Sequence, residues 1–191
     1  FLAIFVIGGL TGVMVAVLSG TAGVGKTALA VHWAHRASLR FPDGQLYANL
    51  RGFDPGGSPV SPAEAIRWFL DALQVPAPRR PDSEPAAAAL YRSLLAGKRM
   101  LVVLDNARDA DQVRPLLPGA PGCMALVTSR DQLSGLVAAQ GAEPMTVDLL
   151  SPAESRRLLA QRLGTDRLTA NPAAVSEIVS SCAGLPLALA I

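Results

Sequence analysis

Short, unbroken apolar runs alternate along most of this chain with mixed stretches in which apolar residues recur at helical spacing. Residues 13–18, 100–104 and 124–127 contain no polar side chain. Runs of that kind suit strands covered on both faces, as in a parallel sheet. Residues 46–50 alternate instead and are bounded by turn formers, which predicts a further strand, and residues 145–149 predict a short last one. Between them the spacing predicts helices. Residues 26–39 carry Leu29, Trp33 and Ala37 on one stripe. Ser61, Pro62 and Glu64 form a helix start, with Glu64 expected to close a capping box and Ile66, Phe69, Leu70 and Leu73 facing inward. Residues 76–81 are a proline-rich break. Residues 83–96 form the next helix, with Leu90, Leu94 and Leu95 inward and Gly97 as its stop. Shorter helices are expected over 109–116 and 133–139.

After residue 149 the alternation ends. Ser151-Pro152-Ala153-Glu154 repeats the helix-start signature, Asn171-Pro172 opens another helix, and residues 185–191 begin one more. The expected architecture is therefore α/β: an open parallel sheet flanked by helices over residues 1–149, followed by a small helical appendage over 150–191.

Composition narrows this picture. Half of the 191 residues are hydrophobic but only 5% are aromatic, so the core is aliphatic and rich in alanine. The formal charge of +2 is spread without a dense Lys/Arg block, which argues against a nucleic-acid footprint within this stretch. Cys123 and Cys182 lie in no metal-binding or redox spacing and read as small buried residues in a reducing compartment, the cytoplasm. Residues 1–18 carry no charge. That length could serve a membrane helix, but residues 13–18 are needed as the first strand, and Gly8, Gly9 and Gly12 interrupt the rest. No membrane role is expected. Residues 1–11 stay unassigned, and the lack of an initiator Met reads as the sign of a fragment.

The chemistry begins where the first strand ends. Gly20, Gly25, Lys26 and Thr27 match the phosphate-loop pattern G-x-x-x-x-G-K-[ST], between a buried strand and a helix start. A polyphosphate requires backbone N–H groups turned inward, and Gly20, Gly23 and Gly25 free the chain to make that turn. The following helix N-terminus adds unpaired donors and partial positive charge. Phosphate contacts are thus expected along Gly20, Thr21, Ala22, Gly23, Val24, Gly25, Lys26, Thr27 and Ala28. Lys26 reaches the outer phosphates, and the Thr27 hydroxyl can ligate Mg²⁺.

Two other strand ends add to it. Residues 101–104 run into Asp105, a carboxylate where open α/β sheets bind ligands, so Asp105 can hold Mg²⁺ with Thr27. The next residue is Asn106, where vigorous phosphate-loop ATPases place an acid. An amide is a poor base, which predicts slow hydrolysis; the same Asn106 can also simply complete an Asx turn. Arg130 follows the strand that ends in Thr128-Ser129 and can read a terminal phosphate, or else be a surface residue paired with Asp131 or another acid. His32 and His35 show no further ligand pattern and read as partly buried or surface residues. Pro186 reads first as a helix-start proline.

The order of these motifs, together with Gly184-Leu185-Pro186-Leu187-Ala188-Leu189, resembles the NB-ARC class of STAND nucleotide switches, a phosphate-loop NTPase group with an ASCE-type sheet. The segments 41–47 and 49–55, reading FPDGQLY and NLRGFDP, resemble more particularly the nucleotide-binding domain of actinobacterial SARP-type regulators of antibiotic production. The resemblance covers residues 13–191. It implies ATP/ADP with Mg²⁺ as ligands, Arg130 as a sensor of the nucleotide and Pro186 beside adenine. It also implies that the Arg130 strand lies between the phosphate-loop strand and the Asp105 strand. Residues 150–191 would be the start of an ARC1-like helical region. Full-length members couple nucleotide exchange to self-association and transcription control, with DNA contacted by a part outside this domain. Two family features are missing from the residues: an upstream Gly-Arg segment with its helix, and the winged-helix part after the Gly-x-Pro segment. The expected function is a slow ATPase switch in a transcriptional regulator. A small-molecule phosphotransferase and a vestigial, non-hydrolysing interaction module are the alternatives. No guanine-reading Asn-Lys-x-Asp motif occurs, which favours adenine.

Overall fold

The computed structural model describes residues 13–191, so the readings made for residues 1–11 fall outside the described residues. The chain runs β1 (Met14–Ser19), α1 (Lys26–Arg36), β2 (Gln45–Asn49), α2 (Pro62–Ala72), α3 (Glu84–Leu95), β3 (Leu101–Ala107), α4 (Ala110–Val113), β4 (Met124–Ser129), α5 (Ser134–Gln140) and β5 (Glu143–Thr146). Four helices follow: α6 (Pro152–Leu163), α7 (Thr165–Ala170), α8 (Pro172–Ser181) and α9 (Pro186–Ala190). The sheet order is β2-β3-β4-β1-β5 with every neighbouring pair parallel. This is the open parallel sheet expected, with β4 between β1 and β3.

The period of two along each strand sorts the core into two layers. Val15, Val17, Leu46, Ala48, Val102, Leu104, Ala125 and Val127 face α2 and α3. Ala16, Leu18, Leu101, Val103, Met124 and Leu126 face α1. The central strands are buried on both sides, which is why their sequences read as unbroken apolar runs.

Several details depart from the expectations. The face that α1 buries is Ala30 and Ala34, continued by Ala37, while Leu29 and Trp33 are half-buried at its flank. Small side chains let the helix axis approach the sheet, so the largest residues do not mark the contact. Trp33 packs edge-on against Phe41, with ring centroids 6.4 Å apart. In α3 the buried residues are Ala87, Ala88, Tyr91 and Leu95; Leu90 and Leu94 are half-buried. Tyr91 stacks on Phe69 at 5.5 Å and donates its hydroxyl to the Leu116 carbonyl at 3.1 Å. At α2 the Ser61 hydroxyl accepts from the Glu64 N–H at 3.2 Å, but the Glu64 carboxylate lies 3.9 Å from Arg51 rather than turning back to close the box. At α6 both halves form: Glu154 accepts from the Ser151 N–H at 2.8 Å, and Ser151 Oγ accepts from the Glu154 N–H at 3.3 Å. β5 begins two residues before Met145 because its register follows β1, with Glu143 opposite Ala16 and Thr146 opposite Ser19. The short helix α7 has no apolar stripe to announce it.

Helices α6, α8 and α9 share a small separate core of Leu159, Val175, Val179 and Leu189. The motif that opens α9 ties these helices to the sheet. Leu150 donates its N–H to the Gly184 carbonyl at 2.8 Å, and Leu187 donates its N–H to the Gly23 carbonyl at 3.1 Å. A Cβ on Gly184 would lie 2.2 Å from the Leu150 carbonyl oxygen, and φ there is +72°, so only glycine fits. Among the described residues, no helix is long and apolar enough to cross a membrane.

Candidate functional site

Parallel strands all point the same way, so β1, β3 and β4 deliver their C-terminal residues to one edge of the sheet. The loop after β1 turns there before entering α1. At Gly20 (φ +150°) the chain passes so close to β5's extension that a Cβ would lie 2.6 Å from the Val147 carbonyl oxygen. Lys26 is the first residue of α1, and its ammonium donates to the Gly20 carbonyl at 2.7 Å and the Thr21 carbonyl at 2.8 Å. Its pKa lies below the ordinary lysine value, first because of burial and then because of the Arg130 charge, with Asp105 pulling the other way. Lys26, Arg130 and Asp105 therefore feel one another across a single site.

Asp105 is the centre of that site and is only 3% exposed. Its Oδ1 accepts from the Thr27 hydroxyl at 2.8 Å and from the Thr128 hydroxyl at 2.6 Å. Its Oδ2 accepts from the Tyr47 hydroxyl at 3.2 Å. Three hydroxyls from α1, β4 and β2 thus hold one buried carboxylate, as a charge removed from water requires. Thr128 makes a second bond: its oxygen also accepts from the Asn106 N–H at 2.9 Å. Burial and the adjacent carboxylate raise the Tyr47 pKa to about 12, so Tyr47 is a donor here and not a base.

Asn106 has a structural reason to be where it is. The register between β3 and β4 shifts between Leu104 and Ala107, and Asn106 occupies that irregularity with φ +57°. Among non-glycine residues, Asn and Asp tolerate this left-handed conformation best. Its backbone carbonyl accepts from the Gly52 N–H at 2.7 Å.

Arg130 does not pair with Asp131, and among the described residues it forms no ion pair with any carboxylate. Its guanidinium lies over the Phe53 ring at 5.0 Å and donates to the Phe53 carbonyl at 3.3 Å.

These groups surround a cavity of about 670 Å³. Its floor is the loop and the start of α1 (Ala22, Gly23, Gly25, Lys26, Thr27 and Ala28), and Asp105, Asn106 and Arg130 form one wall. Pro186, the first residue of α9, also lines the cavity. Of the expected loop residues, Gly20 and Thr21 present their carbonyls to Lys26, and Val24 is turned into the core with 4% exposure. Sequence reasoning missed Tyr47, Thr128, Leu158 and Arg162, all of which line the cavity. Thr128 carried a readable signal, since it is the penultimate residue of β4, the strand paired with β3. Leu158 and Arg162 carried none, because they arrive only when α6 folds back. His32 and His35 stand exposed on α1, away from this lining.

The donor set suits a magnesium-bound polyphosphate. Among the described residues no group of three His, Cys, Asp or Glu exists that could cage a metal alone. One carboxylate and one hydroxyl beside an ammonium are what Mg²⁺ uses when phosphates and water supply the remaining ligands.

Comparisons with known proteins bear on the family and the fold. The AAA domain family matches residues 11–117. Over 93% of its length the chain is 48% identical to Regulatory protein AfsR of Streptomyces coelicolor and 46% identical to that of Streptomyces griseus. It spans only 17% and 18% of those two proteins. The fold is similar to that of the Aeropyrum pernix ORC1 protein, solved in complex with DNA. The TM-score is 0.57, with 19% identity over 92% of this chain and 52% of that one. It is also similar to a Signal Transduction ATPase with Numerous Domains (STAND) protein with a tetratricopeptide repeat sensor from Pyrococcus horikoshii. There the TM-score is 0.56, with 16% identity over 92% of this chain and 26% of that one. The two structural likenesses speak to the fold alone. The expected resemblance to actinobacterial regulators holds, and the STAND protein shares the fold.

Proposed function

This chain belongs to the AAA domain family, and from that premise we propose that it is the ATP/ADP-binding switch module of a larger transcriptional regulator. The observation that carries the reading is the 2.8 Å bond between Thr27 and Asp105, which joins the helix that follows the phosphate loop to the β3 carboxylate in the cavity that Lys26 also lines. Lys26 and the loop amides bind the phosphates; Thr27 and Asp105 hold Mg²⁺, which would neutralise charge on the phosphate oxygens. Arg130 contacts the terminal phosphate, its fork having no carboxylate partner among the described residues. Pro186 and the helical wall close over the base. Residues up to about 149 act as the nucleotide-binding unit and 150–191 as the helical subdomain covering it.

Hydrolysis is slow in this reading. The position after Asp105 holds an amide, and the Tyr47 hydroxyl beside Asp105 stays protonated. General-base help of the kind missing here is worth roughly a hundredfold or more. A slow cycle suits a switch, the likeness to Regulatory protein AfsR supports placing that switch in a regulator, and the two free cysteines support a reducing compartment, the cytoplasm. Nucleotide state would then govern self-association of the full protein, while other parts of it contact DNA.

The test is to denature the purified protein and identify the nucleotide it releases. Released ADP or ATP supports the proposal. A protein that releases nothing and shows no calorimetric response to ADP with Mg²⁺ contradicts it and leaves a vestigial interaction module. Rapid phosphate transfer to a small acceptor would favour a phosphotransferase instead.

A further inference from the structure

The connection between β2 and α2 is built onto the end of β3. Leu50 donates its N–H to the Asp105 carbonyl at 2.8 Å, and Gly52 to the Asn106 carbonyl at 2.7 Å. The contact is close enough that a Cβ on Gly52 would lie 2.4 Å from the Arg108 nitrogen. The buried Gln112 amide closes the neck of this loop by donating to the Leu50 and Val60 carbonyls at 3.0 and 2.8 Å. Val60 also donates its N–H to the Leu50 carbonyl at 2.9 Å. From this tethered loop Phe53 reaches Arg130, the residue that follows β4.

We infer that Phe53 is the positioning residue that presents Arg130 to the terminal phosphate of a nucleoside triphosphate. The inference rests on the proposed role of Arg130. A guanidinium over an aromatic ring uses its face and leaves its in-plane donors directed outward. Of the five donors on Arg130, the Phe53 carbonyl takes one, at 3.3 Å. The others remain for phosphate oxygens, while the ring removes much of the side chain's rotational freedom before the ligand arrives. Because the loop hangs from the backbone of Asp105 and Asn106, the arginine that reads the outer phosphate and the carboxylate that holds the metal are referenced to the same strand end. A diphosphate lacks the third phosphate that Arg130 would meet, so Phe53 acts on the triphosphate alone.

The test is calorimetric titration of ADP and of a non-hydrolysable ATP analogue, each with Mg²⁺, into the wild-type chain, Phe53→Leu, Phe53→Trp and Arg130→Ala. An exposed cation–π contact is worth about a two- to fivefold change in an equilibrium constant. Phe53→Leu is expected to weaken the analogue by about that factor and leave ADP unchanged, while Phe53→Trp, which keeps an aromatic face, retains both. Equal weakening of both ligands by Phe53→Leu would reduce Phe53 to a packing residue and overturn the inference. So would unchanged or tighter analogue binding in Phe53→Leu while Arg130→Ala weakens the analogue selectively; the reading of Arg130 would then stand alone. If Arg130→Ala leaves the ratio of the two affinities unaltered, the role of Arg130 fails, and this inference fails with it.

Discussion

Replacing Thr128 with valine keeps the shape of the side chain and deletes one oxygen that does two jobs. That oxygen donates to Asp105 at 2.6 Å and accepts from the Asn106 N–H at 2.9 Å, in a residue that is 1% exposed. A hydrogen bond to a charged group is worth about 1.5–3 kcal/mol, and a buried N–H left without an acceptor costs about 1–3 kcal/mol. The two losses share one relaxation and do not add fully, so Thr128→Val is expected to cost about 2–4 kcal/mol. In a chain of this size that lowers the melting temperature by about 5–15 °C. Thr128→Ser keeps the hydroxyl and should stay near wild type. Thermal and urea unfolding of the three proteins, followed by circular dichroism, measures the difference. A Thr128→Val cost below about 0.5 kcal/mol, within the range of an ordinary surface change, would refute the reasoning that the Asp105 carboxylate depends on this hydroxyl.

Asn106→Asp is expected to raise ATP hydrolysis by up to about a hundredfold, because it supplies a base while an aspartate still tolerates the left-handed backbone; an unchanged rate in a phosphate-release assay would show that the amide is not what limits turnover. The stability of α6 should depend on acid. Bonds from Ser151 hold the Glu154 carboxyl below its ordinary value of 4.5, so its contribution is present above pH 4.5 and is lost as pH falls through the lowered folded value. The melting temperature should therefore drop less steeply below pH 4.5 in Glu154→Gln than in the wild type, and identical slopes would contradict this.

Much of the site was legible because it is encoded locally. The phosphate loop, Asp105 and Arg130 each sit at the end of an apolar run, and parallel pairing brings such ends together without further information. What was not legible depends on packing. The α1 contact is made by Ala30 and Ala34 because helix and sheet must approach closely, whereas a search for large apolar residues selects Leu29 and Trp33. Tyr47 lies 58 residues from Asp105 and looks like an ordinary strand residue until the pairing of Asn49 with Asp105 sets it beside the site. The role of Asn106 at a register shift cannot be read from one strand, because a shift belongs to a pair. Arg162 and Leu158 enter the cavity through the return of α6, which is anchored by the Gly184–Leu150 and Leu187–Gly23 contacts rather than by any motif in α6 itself.

The central claim is that Lys26, Thr27 and Asp105 together hold a magnesium-bound adenine nucleotide. Calorimetric titration of ADP into the wild type and Asp105→Asn, each with Mg²⁺ and with a chelator, tests it most directly. The account predicts that chelation weakens ADP binding to the wild type and changes binding to Asp105→Asn little, because the metal has lost its carboxylate. Wild-type binding indifferent to Mg²⁺, or a full metal dependence surviving in Asp105→Asn, would contradict it.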